Sequence, residues 1–173
     1  MSILENVTSI KERIAAAAIA AGRDPKEIQL CAATKMNDAD AVRQAIAAGV
    51  DCCGENRVQE LVQKQTENAY EGAPVHFIGH LQTNKVRQVV GKVSLIQSVD
   101  RLRLLEAILK ECRREKVPVT LFLMNGFQLR GTITGYDSFV VVLVSEGKQQ
   151  MIYKHAISTL APIRPLKAAS TTV

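Results

Sequence analysis

Three consecutive residues near the end of the chain, Tyr153, Lys154 and His155, carry side chains that can donate hydrogen bonds to a ligand. They lie in the segment "QMIYKHAIST", which follows a run typical of β-strands. Three polar-tipped side chains in a row do not fit a strand that buries one face and exposes the other. Two interpretations stay open from these residues alone: a solvated edge strand, or a strand that ends at a ligand site.

The four cysteines, Cys31, Cys52, Cys53 and Cys112, form no pattern typical of metal sites. There is no C-x-x-C and no Cys/His spacing for zinc, so the sequence predicts no metal site. The vicinal pair lies in an apolar run, where cysteines pack as small hydrophobic residues.

No apolar run reaches the roughly 18 residues that span a bilayer, and "RIAAAAIAAG" lacks the features of a signal peptide. We therefore expect a cytoplasmic protein with no membrane contact.

The net charge of +5 is unevenly distributed over the 173 residues. Met1–Asp100 contains 11 basic and 12 acidic residues, whereas Arg101–Val173 contains 11 basic and 5 acidic residues. The asymmetry indicates two modules, of which the second has a polyanion as its expected partner.

The two parts also differ in their predicted elements. The first hundred residues alternate predicted helices and short apolar strands. The helices include "NDADAVRQAIAAG", with Asn37 or Asp38 as N-cap, and "QTNKVRQVVG"; the strands include "IQLCAATK" and "VSLIQSVD". This alternation predicts parallel strands with crossover helices. After about Leu104, one amphipathic helix, "LLEAILKECRREK", precedes five predicted strands, the fourth of them "KQQMIYKH". Asn125-Gly126 predicts a hairpin, and Gly131 and Gly135 predict bending of a strand.

Leu104 to Leu166 resembles the Hfq family of bacterial Sm-like RNA chaperones in the segments "MNGFQLRG", "EGKQQ" and "YKHAIST". The resemblance implies an N-terminal helix plus a bent five-stranded antiparallel sheet. It also implies a hexameric ring that pairs sheet edges, binds RNA on two faces and at its rim, and is not an enzyme.

The resemblance implies a proximal RNA face at which a uracil stacks on Phe139 while Lys154 and His155 supply donors. The proximal set is Ser138, Phe139, Tyr153, Lys154 and His155. Without the motif, a satisfied core histidine and a core phenylalanine would be the simpler interpretation. At two positions where the family usually carries glutamine, this chain has Leu105 and Ser138.

A distal face for purine-rich RNA and a basic rim are implied in the same way. The distal set is Phe122, Leu123, Gly126, Phe127, Gln128, Gln150 and Thr159, and the rim set is Arg113, Arg114 and Lys116. The two phenylalanines could equally be ordinary strand aromatics. The basic run could equally be a solvated helix end that suits the helix dipole.

Met1 to about Leu105 resembles the YggS/PROSC family of pyridoxal-phosphate-binding proteins in "AATK", "GENRVQE", "HFIGHLQTNK" and "LIQSVDRLRL". The resemblance implies that Lys35 forms a Schiff base with the cofactor and that Asn56 and His76 line the pocket. A lysine shielded in a barrel mouth loses its charge more easily and becomes nucleophilic. An ordinary surface lysine is the alternative for Lys35.

The predicted fold is therefore an α/β half-barrel of about four βα units of a TIM-type barrel, followed by an Sm-like module. The predicted boundaries are 1–103 for the partial barrel, 104–166 for the RNA-binding module and 167–173 for a disordered tail. Because the phosphate site of such barrels lies after the last strands, which this chain lacks, we do not expect tight cofactor binding. "SVDRLRLLEAIL" joins the two modules without a linker, as a natural fusion, a deletion between genes or a chimera would.

The predicted function is that of an RNA chaperone. It would bind single-stranded U-rich and A-rich RNA and promote pairing of small regulatory RNAs with messages, in post-transcriptional regulation and the stress response. RNA binding needs no cofactor. The alternative is a pyridoxal-phosphate homeostasis protein whose Sm-like module serves only to oligomerise it.

Overall fold

In the computed structural model, which describes residues 2–162, the first eighty residues alternate helices with three short parallel strands. The helices are α1 (Ile3–Ala20), α2 (Ala39–Ala47) and α3 (Val58–Thr66), with a 3-10 helix at Pro25–Glu27. The strands are β1 (Cys31–Ala33), β2 (Cys52–Glu55) and β3 (Val75–Phe77), paired in that order. The predicted alternation of helix and parallel strand is confirmed.

The helices begin where the sequence supplies caps. Ser2 and Glu5 form a capping box at α1, in which each side chain accepts a hydrogen bond from the backbone of the other residue. Of the two predicted caps of α2, Asp38 is the one whose carboxylate accepts from the backbone, at Ala41 N. Beyond the end of α2, Gly49 has a φ of 96°, the left-handed conformation that favours glycine.

A buried ion pair fastens α3 to the sheet. The ammonium of Lys64 lies 2.7 Å from Glu55 Oε1 and donates to the Thr34 carbonyl at 2.6 Å. Glu55 is fully buried, and the hydroxyl of Thr34 donates to the same carboxylate oxygen at 2.6 Å. This network holds the carboxyl ends of β1 and β2 against α3.

The second compact unit begins at Leu81. It contains a 3-10 helix at Thr83–Gln88, β4 (Leu95–Ile96), α4 (Leu102–Arg114) and five longer strands. The helix predicted in "QTNKVRQVVG" is thus a 3-10 helix, with bonds such as Val89 N to the Val86 carbonyl. The strand predicted in "VSLIQSVD" is only two residues long.

The predicted boundary near residue 103 follows the family resemblances, whereas the compact units divide between His80 and Leu81. The segment after His80 packs within the second unit. Its Leu81 side chain is fully buried, and the Leu81 carbonyl accepts a hydrogen bond from Arg101 Nη2 at 2.9 Å.

The five longer strands form an antiparallel sheet in the order β8-β7-β6-β5-β9. Their bounds are β5 (Pro118–Leu123), β6 (Gln128–Tyr136), β7 (Val140–Ser145), β8 (Lys148–Tyr153) and β9 (Ile157–Pro162).

The pairing of β6 with β7 shifts register between Ile133 and Gly135. A Cβ at Gly131 would meet the Val144 carbonyl oxygen at 2.3 Å, so only glycine fits there. Gly135 thus lies at an irregularity of the sheet, and Gly131 lies where the neighbouring strand approaches closely.

One predicted strand ends earlier than expected. "KQQMIYKH" is extended only as far as Tyr153, because Lys154–Ala156 forms a 3-10 turn that leads into β9. The predicted disordered tail lies outside the described residues. Among the described residues, no helix has the length and apolar character needed to cross a membrane.

Candidate nucleic-acid interface

Two turns meet at one end of the antiparallel sheet, and together they carry the predicted proximal residues. One turn joins β6 to β7 through Asp137, Ser138 and Phe139; the other is Lys154–Ala156. The backbone N–H of Lys154 donates to the Phe139 carbonyl at 2.7 Å and ties the turns together. The structure thus brings residues 138–139 and 153–155 together, although fourteen positions separate Phe139 from Tyr153.

An aspartate fixes the shape of the first turn. The Asp137 carboxylate accepts hydrogen bonds from Phe139 N at 2.7 Å and from Val140 N at 2.8 Å. These two bonds are the main reason why the pKa of Asp137 lies below its ordinary value, because they favour the ionised form. Asp137 was not among the predicted site residues, although an aspartate at the start of a turn is a recognisable sequence signal.

The aromatic side chains at these turns are exposed. Phe139 is 74% exposed and Tyr153 is 55% exposed, and Tyr153 stacks on the exposed His155 with ring centroids 5.4 Å apart. An aromatic ring with three quarters of its surface in water contributes little to a core. It offers a face on which a base can stack.

Lys154 differs from its two exposed neighbours. It is 8% exposed, with its ammonium 3.7 Å from Glu106 Oε1 and 5.7 Å from the centre of the Tyr136 ring. Its backbone N–H contacts the Phe139 turn, and its positive charge helps to lower the pKa of Asp137 in that turn. Neither Glu106 nor Tyr136 was predicted as a site residue, since their proximity to Lys154 depends on how α4 packs on the sheet.

The predicted distal residues divide between the two edges of the sheet. Phe122 pairs with Gln128 on β6 and with Thr159 on β9, which places these three in one row across neighbouring strands. Phe127 is 66% exposed in the adjoining turn, where Gly126 has a φ of 87°. The structure brings these residues together, along with Leu123, whose N–H donates to the Phe127 carbonyl at 2.8 Å.

Gln150 lies apart from the rest of the distal set. It is exposed on β8, where it pairs with Leu143 of β7. Strands β7 and β6 separate β8 from β5 within one chain. Gln150 therefore lies at the opposite edge of the sheet from Thr159.

The predicted rim residues Arg113, Arg114 and Lys116 are exposed at the end of α4. Arg114 is paired with Glu111 and Glu115. A cavity of about 500 Å³ adjoins this helix end. Two of the three predicted rim residues, Arg114 and Lys116, line it, and Arg87 and Lys92 add further positive charge to the lining.

The three predicted cofactor residues belong to neighbouring strands of the parallel sheet. Ala33, Gly54 and His76 are register partners across β1, β2 and β3. Lys35 follows Ala33 by two residues and Asn56 follows Gly54 by two, so both lie just beyond the carboxyl ends of β1 and β2. His76 therefore lies two register positions deeper in the sheet than Lys35 and Asn56.

Lys35 and Asn56 differ in their surroundings. Lys35 is exposed in the turn after β1. The Asn56 Oδ1 atom is buried and accepts no hydrogen bond from the part of the chain that the structure describes. A Cβ at Gly79 would lie 2.2 Å from the Asn56 carbonyl oxygen, so glycine permits this close approach. His76 is half-buried, and burial lowers its pKa.

The second unit is similar to proteins of known family. Residues 104–167 match the family model "Hfq protein". The RNA-binding protein Hfq of Desulforudis audaxviator is 51% identical over 74 residues, which are 43% of this chain and 89% of that protein. The resemblance predicted for the second part of the chain is confirmed.

The N-terminal part is similar to two solved structures. One is an unknown protein from Bifidobacterium adolescentis, with a TM-score of 0.62 and 36% identity over 66% of this chain and 51% of the other. The other is PipY from Synechococcus elongatus PCC7942 with PLP bound, with a TM-score of 0.55 and 34% identity, covering 50% of that protein. The chain thus spans about half the length of each. The predicted resemblance of the first part and the predicted fold class are confirmed.

Proposed function

The chain belongs to the Hfq family, and on this premise we propose that it is an RNA-binding protein of the RNA-chaperone type. The observation that supports this most directly is the pair of joined turns around Phe139. A 74% exposed aromatic, held by a capped turn beside Tyr153 and His155, has the form of a stacking site for one base. The proposed ligand of this surface is U-rich single-stranded RNA.

The exposed Phe127 and the row Phe122, Gln128 and Thr159 form the second proposed surface, for A-rich RNA. The net positive charge of Arg101–Val173 supports both surfaces, since backbone phosphates supply much of the affinity for single strands. Arg113, Arg114 and Lys116 are proposed to bind phosphates at the rim. We propose a binding protein rather than an enzyme, acting in the cytoplasm by pairing small RNAs with messages.

A ring of six copies is part of this proposal. Strands β8 and β9 are the two edges of the antiparallel sheet, and β8 exposes five of its six residues. Unpaired edge strands offer backbone groups to another copy. Joining β8 of one copy to β9 of the next would place Gln150 beside the strand that carries the neighbouring Thr159. The distal surface, divided within one chain, would then be completed between chains.

Fluorescence anisotropy with labelled U-rich and A-rich 18-mers, combined with light scattering, tests the proposal. We expect a hexamer that binds both oligonucleotides, with an affinity that falls as salt increases. A double-stranded DNA of equal length serves as the control for general attraction to phosphate. Failure to prefer either single strand over that duplex would contradict the proposal.

A second candidate function rests on the unpaired Asn56 Oδ1 beside the strand end that carries Lys35. Lys35, Asn56 and His76 fit the aldehyde end of pyridoxal phosphate: Lys35 would hold the cofactor, and Asn56 and His76 would contact it from the neighbouring strands. The cofactor supplies a reactive aldehyde when bound. The chain covers only half the length of PipY, so we propose weak binding without a complete phosphate site. A cofactor absorbance band that disappears in Lys35→Ala would support this candidate.

A further inference from the structure

Three side chains with metal-binding atoms meet on one face of the parallel sheet in the first unit. Cys31 of β1 and Cys52 of β2 are register partners, and His76 of β3 pairs with Gly54, two residues after Cys52. Because side chains alternate between the two faces of a sheet, all three project from the same face. Cys53, the other half of the vicinal pair, projects from the opposite face.

The distance between Cys52 and His76 matches the separation of two ligands of one zinc ion. The two sulfur atoms and the nearest imidazole nitrogen all lie within 4.8 Å of one another, and Cys52 Sγ lies 3.6 Å from His76 Nδ1. A tetrahedral zinc ion with Zn–S near 2.3 Å and Zn–N near 2.05 Å separates its sulfur and nitrogen ligands by about 3.6 Å. The cysteine and the histidine therefore need almost no movement to bind one ion.

The surroundings of the cluster allow an ion to enter. Cys52 is buried, at 2% exposure, whereas Cys31 and His76 are half-buried and give access from one side. Gly54, the register partner of His76, has no side chain, and a Cβ there would lie 2.8 Å from Ile78 Cδ1 and 3.1 Å from Cys31 Sγ. The glycine thus lets Ile78 and the Cys31 sulfur lie close to the backbone of β2.

We propose that this chain binds one Zn²⁺ ion through Cys31 Sγ, Cys52 Sγ and His76 Nδ1. Two thiolates and one imidazole are ligands that zinc prefers, and three protein ligands leave a fourth position for water. Each thiol loses its proton to solvent as the ion binds, so the site carries a net charge of zero. The ligands come from three adjacent strands, and the ion would join those strands.

Titration of the reduced, chelator-treated full chain with Zn²⁺ against a chromophoric competitor tests the site. We expect one ion per chain. We also expect Co²⁺ to give the charge-transfer absorption of a thiolate ligand. Cys31→Ser should lower the affinity by more than about 100-fold, beyond the 10- to 100-fold typical of outer-shell partners. His76→Gln provides a second variant that keeps both sulfurs.

Cys53→Ser and Cys112→Ser are the matched controls. Both residues are buried cysteines outside the cluster, and both variants should bind one ion with the affinity of the unsubstituted chain. Circular dichroism checks that each variant is folded. The proposal is overturned if the unsubstituted chain takes up less than one ion or gives no thiolate absorption with Co²⁺. It is equally overturned if folded Cys31→Ser and His76→Gln bind as tightly as the controls.

Discussion

The two units of this chain differ in where some of their charged and aromatic side chains lie. The first unit buries charge: Glu55 is 0% exposed and Lys64 is 5% exposed. The second unit exposes aromatic rings: Phe127 and Phe139 are both more than 60% exposed at the tips of turns. A buried ion pair holds elements together, whereas an exposed ring on a capped turn stabilises the fold little and is available to a ligand. The difference is the reason why both proposed RNA surfaces belong to the second unit.

The largest expected effect comes from breaking the buried pair of the first unit. Lys64→Met removes the ammonium and leaves the Glu55 carboxylate buried without its cation, which costs about 3–5 kcal/mol of unfolding free energy. Urea unfolding of the full chain measures this loss. RNA binding should be unchanged, because Lys64 belongs to the first unit.

An exposed ion pair and a double variant sharpen this test. Lys11 pairs with Asp51 at 3.4 Å with 40% of its side chain exposed, so Lys11→Ala should cost no more than about 1 kcal/mol. Replacing both buried partners, as in Lys64→Met with Glu55→Leu, should recover most of the loss. Equal losses for Lys11→Ala and Lys64→Met would show that the buried pair has no special role.

Substituting the exposed aromatics should weaken RNA binding and leave the stability of the fold almost unchanged. Phe139→Ala should leave the unfolding free energy almost unchanged and weaken binding of U-rich RNA by about 1–3 kcal/mol, the value of one base stacked on an aromatic. Phe127→Ala is the matched substitution on a different turn and should weaken A-rich binding instead. Anisotropy titrations of both variants with both oligonucleotides measure the four affinities. If both variants lost the same oligonucleotide, the two-surface proposal would be wrong.

Much of the fold follows from local sequence patterns. The alternation of helix and strand, the hairpin at Asn125-Gly126 and the irregular positions Gly131 and Gly135 depend on neighbouring residues, and the sequence predicts them. The confirmed family resemblance likewise indicated Phe139 and residues 153–155, which the structure brings together through the bond from Lys154 N to the Phe139 carbonyl.

The contact of Lys154 with Glu106 and the cluster of Cys31, Cys52 and His76 depend on packing between segments that are distant in the sequence. Lys154 stays a predicted donor to RNA, and the sequence did not predict that α4 brings Glu106 within 3.7 Å of its ammonium. Cys31, Cys52 and His76 are at least 21 positions apart and become neighbours only through strand pairing, so no spacing rule could find them. Such proximity cannot be read from a single sequence without the register of the strands.

A substitution at the rim should have a smaller effect on RNA binding, and its salt dependence distinguishes phosphate contact from base stacking. Lys116→Ala should lower the salt dependence of RNA binding by about 0.7 in the slope of log affinity against log salt, the value of one phosphate contact on a single strand. Phe139→Ala should leave that slope unchanged, since stacking releases no counterions. Arg23→Ala, on an exposed residue of the first unit paired with Glu27, is the control for net charge. An equal change of slope for Arg23→Ala and Lys116→Ala would remove the rim from the proposed surface.

The smallest expected effect concerns the aspartate that caps the Phe139 turn. Because the pKa of Asp137 is lowered in the folded chain, its carboxylate stabilises the turn above the usual aspartate range. This contribution is lost as the pH falls through the lowered pKa. Asp137→Asn keeps an oxygen acceptor but not the charge, so the stability difference between the two proteins should shrink towards acid pH.

Unfolding midpoints of the two proteins over a pH series measure this difference. Asp137→Ala, which also removes the acceptor, should remain less stable at every pH and should weaken U-rich binding at neutral pH through the turn that carries Phe139. A difference between the unsubstituted chain and Asp137→Asn that stayed constant with pH would mean that the carboxylate charge has no part in holding the turn. Stacking at Phe139 would then depend on the backbone bond from Lys154 N to the Phe139 carbonyl.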